Sequence, residues 1–534
     1  MAIERWTPPA ELTRQEQALL KRLDRVRKLL SFLRLERLKI FDDDFQGELE
    51  GMYRDTGAGK DPVAPAMMAM ATFVQAYLGV SDAEMVELTV VDLRVQMVLG
   101  RLGESEPAFS QGALSAFRDR LIRSDMDLRL LERTVEVARA VGGVDIRKLP
   151  RTLRVAVDSS PFDGAGRVED TFNLLGHAAR KLVACAARLL RWRPTTVAER
   201  AGAEVLLMPS IKVALDVDWS DPTAKAGAMT SLVKQLDGLE RWLEEHVPLT
   251  AQAVLAPHLA TLRQIRTQDL EETVHGPRIR RGVARDRRVS IEDAEMRHGR
   301  KSDSYGFSGY KRHVATDLDG DLIVAVAVTP ANVPEERALL VLQDDLSHQR
   351  IDIGELYIDR GYIASDVVDE VVAAGGEVIC RPWQFSNRGR FAKADFDINI
   401  RDRTITCPEG QTQPFALGAD VEFDAATCDK CPARARCTTA ARGTGRSVQI
   451  AVNEPLQKRL RTLIASPSGR ARLRERVAVE HRLAHIASRQ GARARYRGVR
   501  KNTFDLRRAA ALQNLEAAHR RGRETTQEVL QRAA

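Results

Sequence analysis

The chain of 534 residues carries a net charge of +8 at pH 7, with 44% hydrophobic and 29% charged residues. This length excludes a single ordinary core, so we expect two to four structural units. The composition is ordinary for a folded soluble protein. The pI near 9.2 weakly favours a polyanionic partner.

The N-terminus and one uncharged run bear on location. Residues 1–17 contain no apolar stretch, so no secretory signal peptide is expected. Pro62 to Val80 is the longest uncharged run, but it is rich in alanine and carries two prolines, Thr72 and Gln75. These features favour a buried helix over a membrane span. We therefore expect a cytoplasmic protein.

Positive charge is concentrated in two stretches. Between Arg470 and Lys501 there are eleven Lys or Arg residues against two acids, and Arg278 to Arg288 reads RIRRGVARDRR. Either run alone is equally well explained by a solvated helix face. Two separated runs in one chain favour a nucleic-acid partner.

The first 145 residues have a helical pattern. Leucines recur among charged residues from Leu12 to Lys39, and helical periodicity returns over residues 110–122. Ser81 and Glu84 form an S-x-x-E capping box that opens a further helix.

The pattern becomes α/β from Arg151. Residues 153–158 (LRVAVD) predict a strand that ends on an acid. A helical stretch over 168–275, with a break at 217–221, separates this strand from the next. Residues 309–317 and 322–330 then predict a hairpin with an Asp-Gly turn. A helix, a strand, a helix and a strand follow over residues 334–347, 354–362, 364–373 and 377–383.

This order of elements predicts an RNase H-like α/β core with a mixed five-stranded sheet. A helical insertion follows the first strand, a Cys-rich insertion precedes the last helix, and an all-α domain lies at the N-terminus. The expected units are a helical DNA-binding domain at 1–145, core segments at 150–167 and 291–394, a helical insertion at 168–290, the Cys-rich insertion at 395–450, and C-terminal helices with a basic tail at 451–534.

Three acids are candidate metal ligands. Asp158 and Asp359 each end a predicted apolar strand, and α/β sheets place their sites at the carboxyl ends of strands. Either aspartate alone is better explained as a cap or turn residue, but two in one sheet favour a site. Glu480 lies on a predicted helix within a basic stretch, with Arg476 one turn earlier. Its default interpretation is a surface ion pair.

Four of the six cysteines are crowded into one segment, with the spacing C-x20-C-x2-C-x5-C. They are Cys407, Cys428, Cys431 and Cys437. The C-x2-C pair suits two thiolates on one structural Zn²⁺, and the alternative is four reduced thiols without metal. Cys185 and Cys380 lie in apolar segments, which indicates core packing.

Long co-linear stretches make the chain resemble the DDE transposases of bacterial insertion sequences. The matching stretches include VAVDSSPFDGAGRVEDTFNLL, RVSIEDAEMRHGRKSDSYGFSGYKRHVATD, VTPANVPE, YIDRGY, CPEGQ with CDKCPARARC, and RVAVEHRLAHIASRQGARARYRGVRKNTFDLRRAAALQNL. DPVAPAMMAMATF, GVSDAEMVE, DLRVQMVLG and FRDRL extend the match into the N-terminal region.

The resemblance implies that Asp158, Asp359 and Glu480 are the catalytic acids and hold two Mg²⁺ or Mn²⁺ ions. It also implies cleavage at the ends of the chain's own insertion sequence and joining of those ends to target DNA. The partners would be double-stranded DNA, as terminal inverted repeats and target, and further copies of the chain in a dimer or larger synaptic complex. The expected location is the bacterial nucleoid.

The chain departs from the family at one pattern. Related transposases often carry Tyr-x2-Arg-x3-Glu-x6-Lys around the last acid. Arg476 and Glu480 fit this pattern, whereas Leu473 and Ala487 stand at the Tyr and Lys positions. We hypothesise that Arg489, or Tyr496, Arg497 and Lys501, supply the missing phosphate contacts.

Further DNA-binding candidates surround the second strand and the second aspartate. They are Arg297, His298, Arg300, Lys301, Lys311, His313, Arg360 and Arg476. A basic surface loop is an equally good interpretation of the first six without the resemblance. Rival acidic ligands are Asp163, Asp170, Asp293, Asp303, Asp317 and Asp319, of which Asp317 is the most serious because it ends a strand next to the first.

Two other functions share these features. A metal-dependent RNase H-like nuclease would use the same acids to cut DNA without joining it. A catalytically silent, transposase-derived DNA-binding protein would keep the fold without the chemistry. Retention of all three acids argues against the silent protein.

Overall fold

The regular elements in the described part of the N-terminal region are all helices. The computed structural model describes residues 3–26, 28–53, 61–140 and 152–533, so predicted boundaries at 145 and 150 lie outside the described residues. The helices are α1 (Arg14–Val26), α2 (Lys28–Ile40), α3 (Asp43–Glu50), α4 (Pro65–Leu78), α5 (Asp82–Val91), α6 (Leu93–Leu99), α7 (Gln111–Arg123) and α8 (Met126–Ala140). Ser81 caps α5 as predicted, because its Oγ accepts from the N–H of Glu84 at 3.1 Å.

The uncharged run forms a buried helix. It contains α4, which has 14 residues, and most of them are buried. Among the described residues, no helix is long and apolar enough to cross a membrane.

The first strand is β1 (Thr152–Asp163), and a helical insertion follows it. The insertion contains α9 (Thr171–Leu190), α10 (Pro194–Ala201), α11 (Ile211–Leu215), α12 (Pro222–His246) and α13 (Leu249–Asp269), then a small hairpin of β2 (Leu270–Thr273) and β3 (Gly276–Ile279). A separate apolar cluster, which includes Leu182, Leu236 and Leu262, holds these helices together.

The remaining elements of the core are β4 (Arg297–Arg300), β5 (Gly306–Asp317), β6 (Leu322–Pro330), α14 (Glu335–His348), β7 (Asp352–Tyr357), α15 (Asp366–Ala373) and β8 (Glu377–Ile379). The main sheet has the order β6-β5-β1-β7-β8, and the short β4 pairs with the start of β5 on the edge that β6 occupies further along. β5 runs antiparallel to β1 and β6, whereas β1, β7 and β8 are parallel.

This topology is the predicted mixed sheet of an RNase H-like core. The five expected strands are present, and β4 is a short sixth strand that the sequence analysis did not predict. Every residue from Leu322 to Thr329 in β6 is buried. Because alternate residues of a strand point to opposite faces, helices must cover both faces of the sheet there.

The Cys-rich segment forms a small unit. It consists of β9 (Asp397–Asn399), β10 (Thr404–Thr406), β11 (Thr412–Pro414), β12 (Asp420–Glu422), α16 (Ala425–Lys430), α17 (Arg434–Cys437) and β13 (Ser447–Gln449). Phe396, Ile405 and Phe423 belong to its own apolar cluster.

The C-terminal helices complete the core. They are α18 (Glu454–Ala465), α19 (Pro467–Glu475), α20 (Val477–Gln490) and α21 (Val499–Ala533). α20 packs on β1 and β5, and α21 packs on β6, α4 and α8. Asn514 of α21 bonds both the N–H and the C=O of Ile323 and also Thr134 Oγ1. One apolar cluster therefore runs from the N-terminal helices into the sheet.

Candidate active site

The two aspartates lie at one edge of the sheet. The parallel pairing of β1 with β7 ends at Ala156 and Tyr357, and Asp158 and Asp359 each lie two residues beyond. Since neighbouring parallel strands end at the same edge, both carboxylates reach the same region.

The structure corrects the predicted end of the first strand. β1 continues five residues past Asp158, because residues 158–163 stay paired with β5 after the pairing with β7 has stopped. The predicted strand over 354–362 instead ends at Tyr357. Asp359 caps a turn of 3₁₀ helix, and its carboxylate accepts from the N–H of Arg360 at 2.6 Å.

Glu480 reaches the aspartates from the first turn of α20. Arg476, at the N-cap of α20, lies between two of the acids. Its Nη1 is 3.1 Å from Asp158 Oδ2, and its Nη2 is 2.7 Å from Glu480 Oε1. The Asp158 side chain is 19% exposed and that of Glu480 is 47% exposed, so the acids range from nearly buried to open.

The clustering of negative charge changes the pKa of Asp158, the most buried of the three acids. Burial raises the pKa of Asp158, and the neighbouring charges of Glu480 and Asp359 raise it further. Arg476 and the N–H of Ser159, which donates to Asp158 Oδ1 at 2.8 Å, oppose this increase. Carboxylate oxygens are the ligands that Mg²⁺ and Mn²⁺ prefer, so the donor set fits such ions. With the side chains as they stand, no three His, Cys, Asp or Glu groups among the described residues form a metal-holding group.

A cleft opens on each side of the acids. Asp359, Arg476 and Glu480 line both clefts, and Asp158 lines the first. Their cavity volumes are about 780 and about 1170 Å³, the first within and the second slightly above the range of about 300–1,000 Å³ that is usual for ligand pockets. Asp359 and Glu480 therefore lie where the two clefts meet, with Asp158 in the first cleft beside them.

The first cleft is lined by the sheet, the start of α14 and α20. Its cations besides Arg476 are Arg300, Lys301 and Lys311. Lys311 Nζ donates to the carbonyl of Val333 at 3.1 Å, which fixes its position.

The second cleft is lined by residues 381–386, α18 and α19. It contains six arginines, namely Arg360, Arg381, Arg461, Arg470, Arg474 and Arg476, and the aromatic rings of Trp383 and Phe385. Its only acids are Asp359 and Glu480. Positive charge together with exposed rings is suited to a polynucleotide strand.

The two positions that depart from the family pattern line these clefts. Ala487 is part of the wall of the first cleft, and Leu473 is part of the wall of the second. Both walls are therefore apolar where related transposases often have Lys and Tyr. The cations of the first cleft are Arg476 and residues of the segment 300–311, whereas Arg470 and Arg474 of the second cleft lie on α19 together with Leu473.

The structure separates the predicted DNA-binding residues into two groups. Arg300, Lys301, Lys311, Arg360 and Arg476 lie in the clefts. The proposed substitutes for the Tyr and Lys line neither cleft, and each has a partner elsewhere. Arg489 pairs with Glu516, Tyr496 accepts from Arg118, Arg497 pairs with Glu292, and Lys501 lies 3.6 Å from Asp119.

Three residues before and on β5 also lie outside the clefts. Arg297 forms an ion pair with Asp286 and donates to two backbone carbonyls. His298 is exposed beside Ser308. The structure places His313 in the interior and away from both clefts, fully buried between Tyr362 Oη and Thr329 Oγ1. Burial lowers the pKa of His313 to about 3, which keeps the ring neutral.

Part of the first basic run is used inside the protein. Arg287 binds both carboxylate oxygens of the buried Asp269, and Arg288 donates to the carbonyls of Ser290 and Ile291. This run is therefore weaker support for nucleic acid than its charge suggested.

Three of the six rival acids have structural roles. Asp317 accepts from the N–H groups of Asp319 and Gly320 in the hairpin turn and pairs with Arg139. It lies three residues beyond Val314, the β5 partner of Asp158, because it is paired with Val155. Asp170 caps α9, and Asp293 accepts from Tyr310 Oη at 2.5 Å.

One acid of the first cleft was missed. Glu335, in the first turn of α14, accepts from Ser159 Oγ at 2.6 Å and faces Gly361. A Cβ at Gly361 would lie 2.2 Å from Glu335 Oε2. Its signal was its position at a helix start, five residues after the end of β6, within VTPANVPE.

The four clustered cysteines line one cavity of the Cys-rich unit. Burial raises the pKa of Cys437, and the nearby thiols of Cys428, Cys407 and Cys431 raise it further. Cys185 and Cys380 are buried, as predicted.

Two family models match the chain. Residues 273–515 match the transposase DDE domain, which includes Asp359 and Glu480 at the clefts, and residues 16–120 match the transposase domain (DUF772). The chain belongs to the DDE transposases of insertion sequences. Members are polynucleotidyl transferases that act on DNA and generally use divalent metal ions. No curated protein and no solved structure matches this transposase. Asp158 lies between the two matched segments, so its assignment depends on the geometry of β1.

Proposed function

We propose that this transposase cleaves DNA at the ends of its own insertion sequence and joins those ends to target DNA. One observation carries the proposal: acids from β1, the end of β7 and α20 lie where two clefts that contain basic side chains meet. A strand entering from one cleft and leaving by the other would bring a phosphodiester to the acids.

Asp158, Asp359 and Glu480 would hold two Mg²⁺ or Mn²⁺ ions. Such ions, when bound, activate the attacking oxygen and stabilise the leaving oxygen of an in-line displacement. The chain itself would position the DNA: Lys311 and Arg300 would neutralise phosphates in the first cleft, and Arg470 and Arg474 would do so in the second. Cleavage and joining would use the same acids in turn.

The N-terminal helices would recognise the terminal inverted repeats, together with helices of the insertion α9–α13. Two ends must be held together for joining, so the working form would be a dimer or a larger synaptic complex. The units proposed from the sequence, with boundaries at 145, 168, 291, 395 and 451, remain our working division of the transposase.

The experiment begins with the DNA that flanks the gene, because inverted repeats there define the substrate. Oligonucleotide duplexes with those ends are incubated with the full chain and Mg²⁺ or Mn²⁺. We expect nicked ends and strand-transfer products. Asp158→Ala, Asp359→Ala and Glu480→Ala should each lose at least about 10³-fold in cleavage rate and retain DNA binding.

The alternatives give different products. Cleavage without joining would indicate a nuclease, and binding without cleavage would indicate a silent DNA-binding protein. Cleavage by the Asp359 variant at the wild-type rate would overturn the assignment of the acids.

For the Cys-rich unit we propose a structural zinc site, since four thiols line one cavity and a Cys₄ set suits Zn²⁺. Metal analysis of the purified chain should give one zinc per chain. Cys428→Ser with Cys431→Ser should lose the zinc, whereas Cys185→Ser should retain it. Six thiols that react freely after unfolding, with no zinc released, would contradict the proposal.

A further inference from the structure

Arg476 joins two acids that belong to different elements. Its guanidinium spans Asp158 on β1 and Glu480 on α20 at 3.1 and 2.7 Å. Its side chain is 21% exposed, and it lines both clefts. One cation thus occupies the space between two carboxylates at the point where the clefts meet.

A guanidinium and a divalent ion compete for the same oxygens. Mg²⁺ binds carboxylate oxygen at 2.0–2.1 Å, closer than any N–H donor can approach. Asp158 Oδ2 and Glu480 Oε1 both face Arg476. A metal ion between these two oxygens therefore requires Arg476 to leave.

We propose that Arg476 keeps the metal position filled before DNA binds and exchanges with a divalent ion when a phosphate draws it away. This inference depends on the proposed function, because it assumes that the acids hold metal. Arg476 acts here as a positioning residue. It neutralises Asp158 and Glu480 in the free protein, and in the complex it donates hydrogen bonds to a DNA phosphate.

The exchange predicts weak metal binding in the free transposase. Binding of Mn²⁺ to the full chain without DNA can be measured from the electron paramagnetic resonance signal of free Mn²⁺. Arg476→Gln should bind Mn²⁺ about 10-fold more tightly than wild type, because no side chain has to be displaced. Arg459→Gln is the matched control, since Arg459 is exposed on α18 and lines neither cleft. Its affinity should stay within about 2-fold of wild type.

A second set of variants identifies the residues that bind Mn²⁺ and keeps the test decisive if one variant fails to fold. Asp158→Asn in the Arg476→Gln background should abolish the gain in affinity. Arg476→Lys keeps the charge but cannot bridge two carboxylates bidentately, and it should bind Mn²⁺ about 3-fold more tightly than wild type. Its result decides the question if Arg476→Gln fails to fold.

The exchange is tested by adding a short DNA duplex, with the Mn²⁺ bound by DNA alone subtracted. DNA should tighten Mn²⁺ binding by wild type about 10-fold and by Arg476→Gln less than 3-fold. Equal Mn²⁺ affinities of wild type and both Arg476 variants would overturn the proposal. The same holds if DNA increases the Mn²⁺ affinity of wild type and of Arg476→Gln by the same factor. If Asp158→Asn also leaves Mn²⁺ binding unchanged, the proposed metal function of the acids fails instead.

Discussion

The two clefts beside the acids are built in different ways. The first is lined mainly by paired strands and by α20, and Lys311 is held by a backbone carbonyl. The second is lined by the segment 381–386, which is outside the strands, and by the exposed arginines of α19. The first therefore has its shape fixed by the sheet, whereas the second depends more on charge than on rigid geometry.

The largest effect should come from disturbing the sheet below the first cleft. Gly309 is paired with Asp163 on one side and Arg297 on the other, and a Cβ there would lie 2.3 Å from the carbonyl oxygen of Phe162. Because backbone cannot move aside as a side chain can, Gly309→Ala should lower the free energy of unfolding by about 3 kcal/mol or more. Gln384→Ala in the second cleft should change it by less than about 0.5 kcal/mol. Urea unfolding measures both, and equal losses would remove the contrast between the clefts.

Removing cations should weaken DNA binding at either cleft. Arg300→Ala with Lys311→Ala tests the first, and Arg470→Ala with Arg474→Ala tests the second. Each pair should reduce affinity about 10-fold and lower the slope of log K against log salt by about 1.8, because each lost phosphate contact contributes about 0.9. Fluorescence anisotropy with a labelled duplex measures both quantities.

Arg459→Ala is the control for these pairs, since Arg459 is exposed on α18 and lines neither cleft. Its affinity and slope should match wild type. If only one pair differs from wild type, DNA follows a single cleft.

Burial of His313 should make the free energy of unfolding depend on pH. The pKa of His313 is lowered in the fold from 6.5 to about 3, so only the unfolded chain binds a proton between these values. Its contribution to stability is therefore complete above pH 6.5 and is lost as the pH falls toward 3. Below pH 6 the loss should approach about 1.4 kcal/mol per pH unit.

The matched variant is His313→Gln, which keeps hydrogen bonding to Tyr362 and Thr329 but does not titrate. Its unfolding free energy should change less than that of wild type between pH 7.5 and 5.5. The second cleft has no histidine in its lining. Parallel pH profiles of variant and wild type would show that His313 is not the cause.

The smallest effect should come from restoring the family pattern. Ala487→Lys adds a cation to the wall of the first cleft and should increase DNA affinity about 3-fold. Ala471→Lys, at an exposed position of α19 outside both clefts, adds the same charge elsewhere and should have less effect. If the two variants gain equally, net charge rather than the cleft controls affinity.

The sequence predicted the first cleft much better than the second. The order of strands and the end of β7 follow from local apolar patterns, and these patterns led to Asp359, Lys311 and Arg300. The arginines of the second cleft come from segments about eighty residues apart, and no local pattern relates Arg381 to Arg461 or Arg470. Their proximity results from packing of α18 and α19 beside the sheet.

The end of β1 and the burial of His313 could not be predicted from the local sequence, because both depend on tertiary contacts. The end of β1 depends on which neighbour stops pairing, so the strand continued past Asp158. The burial of His313 depends on Tyr362 above it and β6 beside it. A histidine that directly follows two basic residues in the sequence, Lys311 and Arg312, gives no sign of that environment.

The packing of α21 has a consequence for synthesis. Asn514 bonds Thr134, 380 residues earlier in the chain, and Arg507 and Arg500 bond Asp127. At about 5–20 residues per second, a ribosome needs roughly 20–75 s to make the intervening chain. During that time the N-terminal helices lack the surface that α21 later covers. A nascent or prematurely terminated chain therefore exposes apolar helix faces, and the transposase acquires its complete form only when translation passes α21.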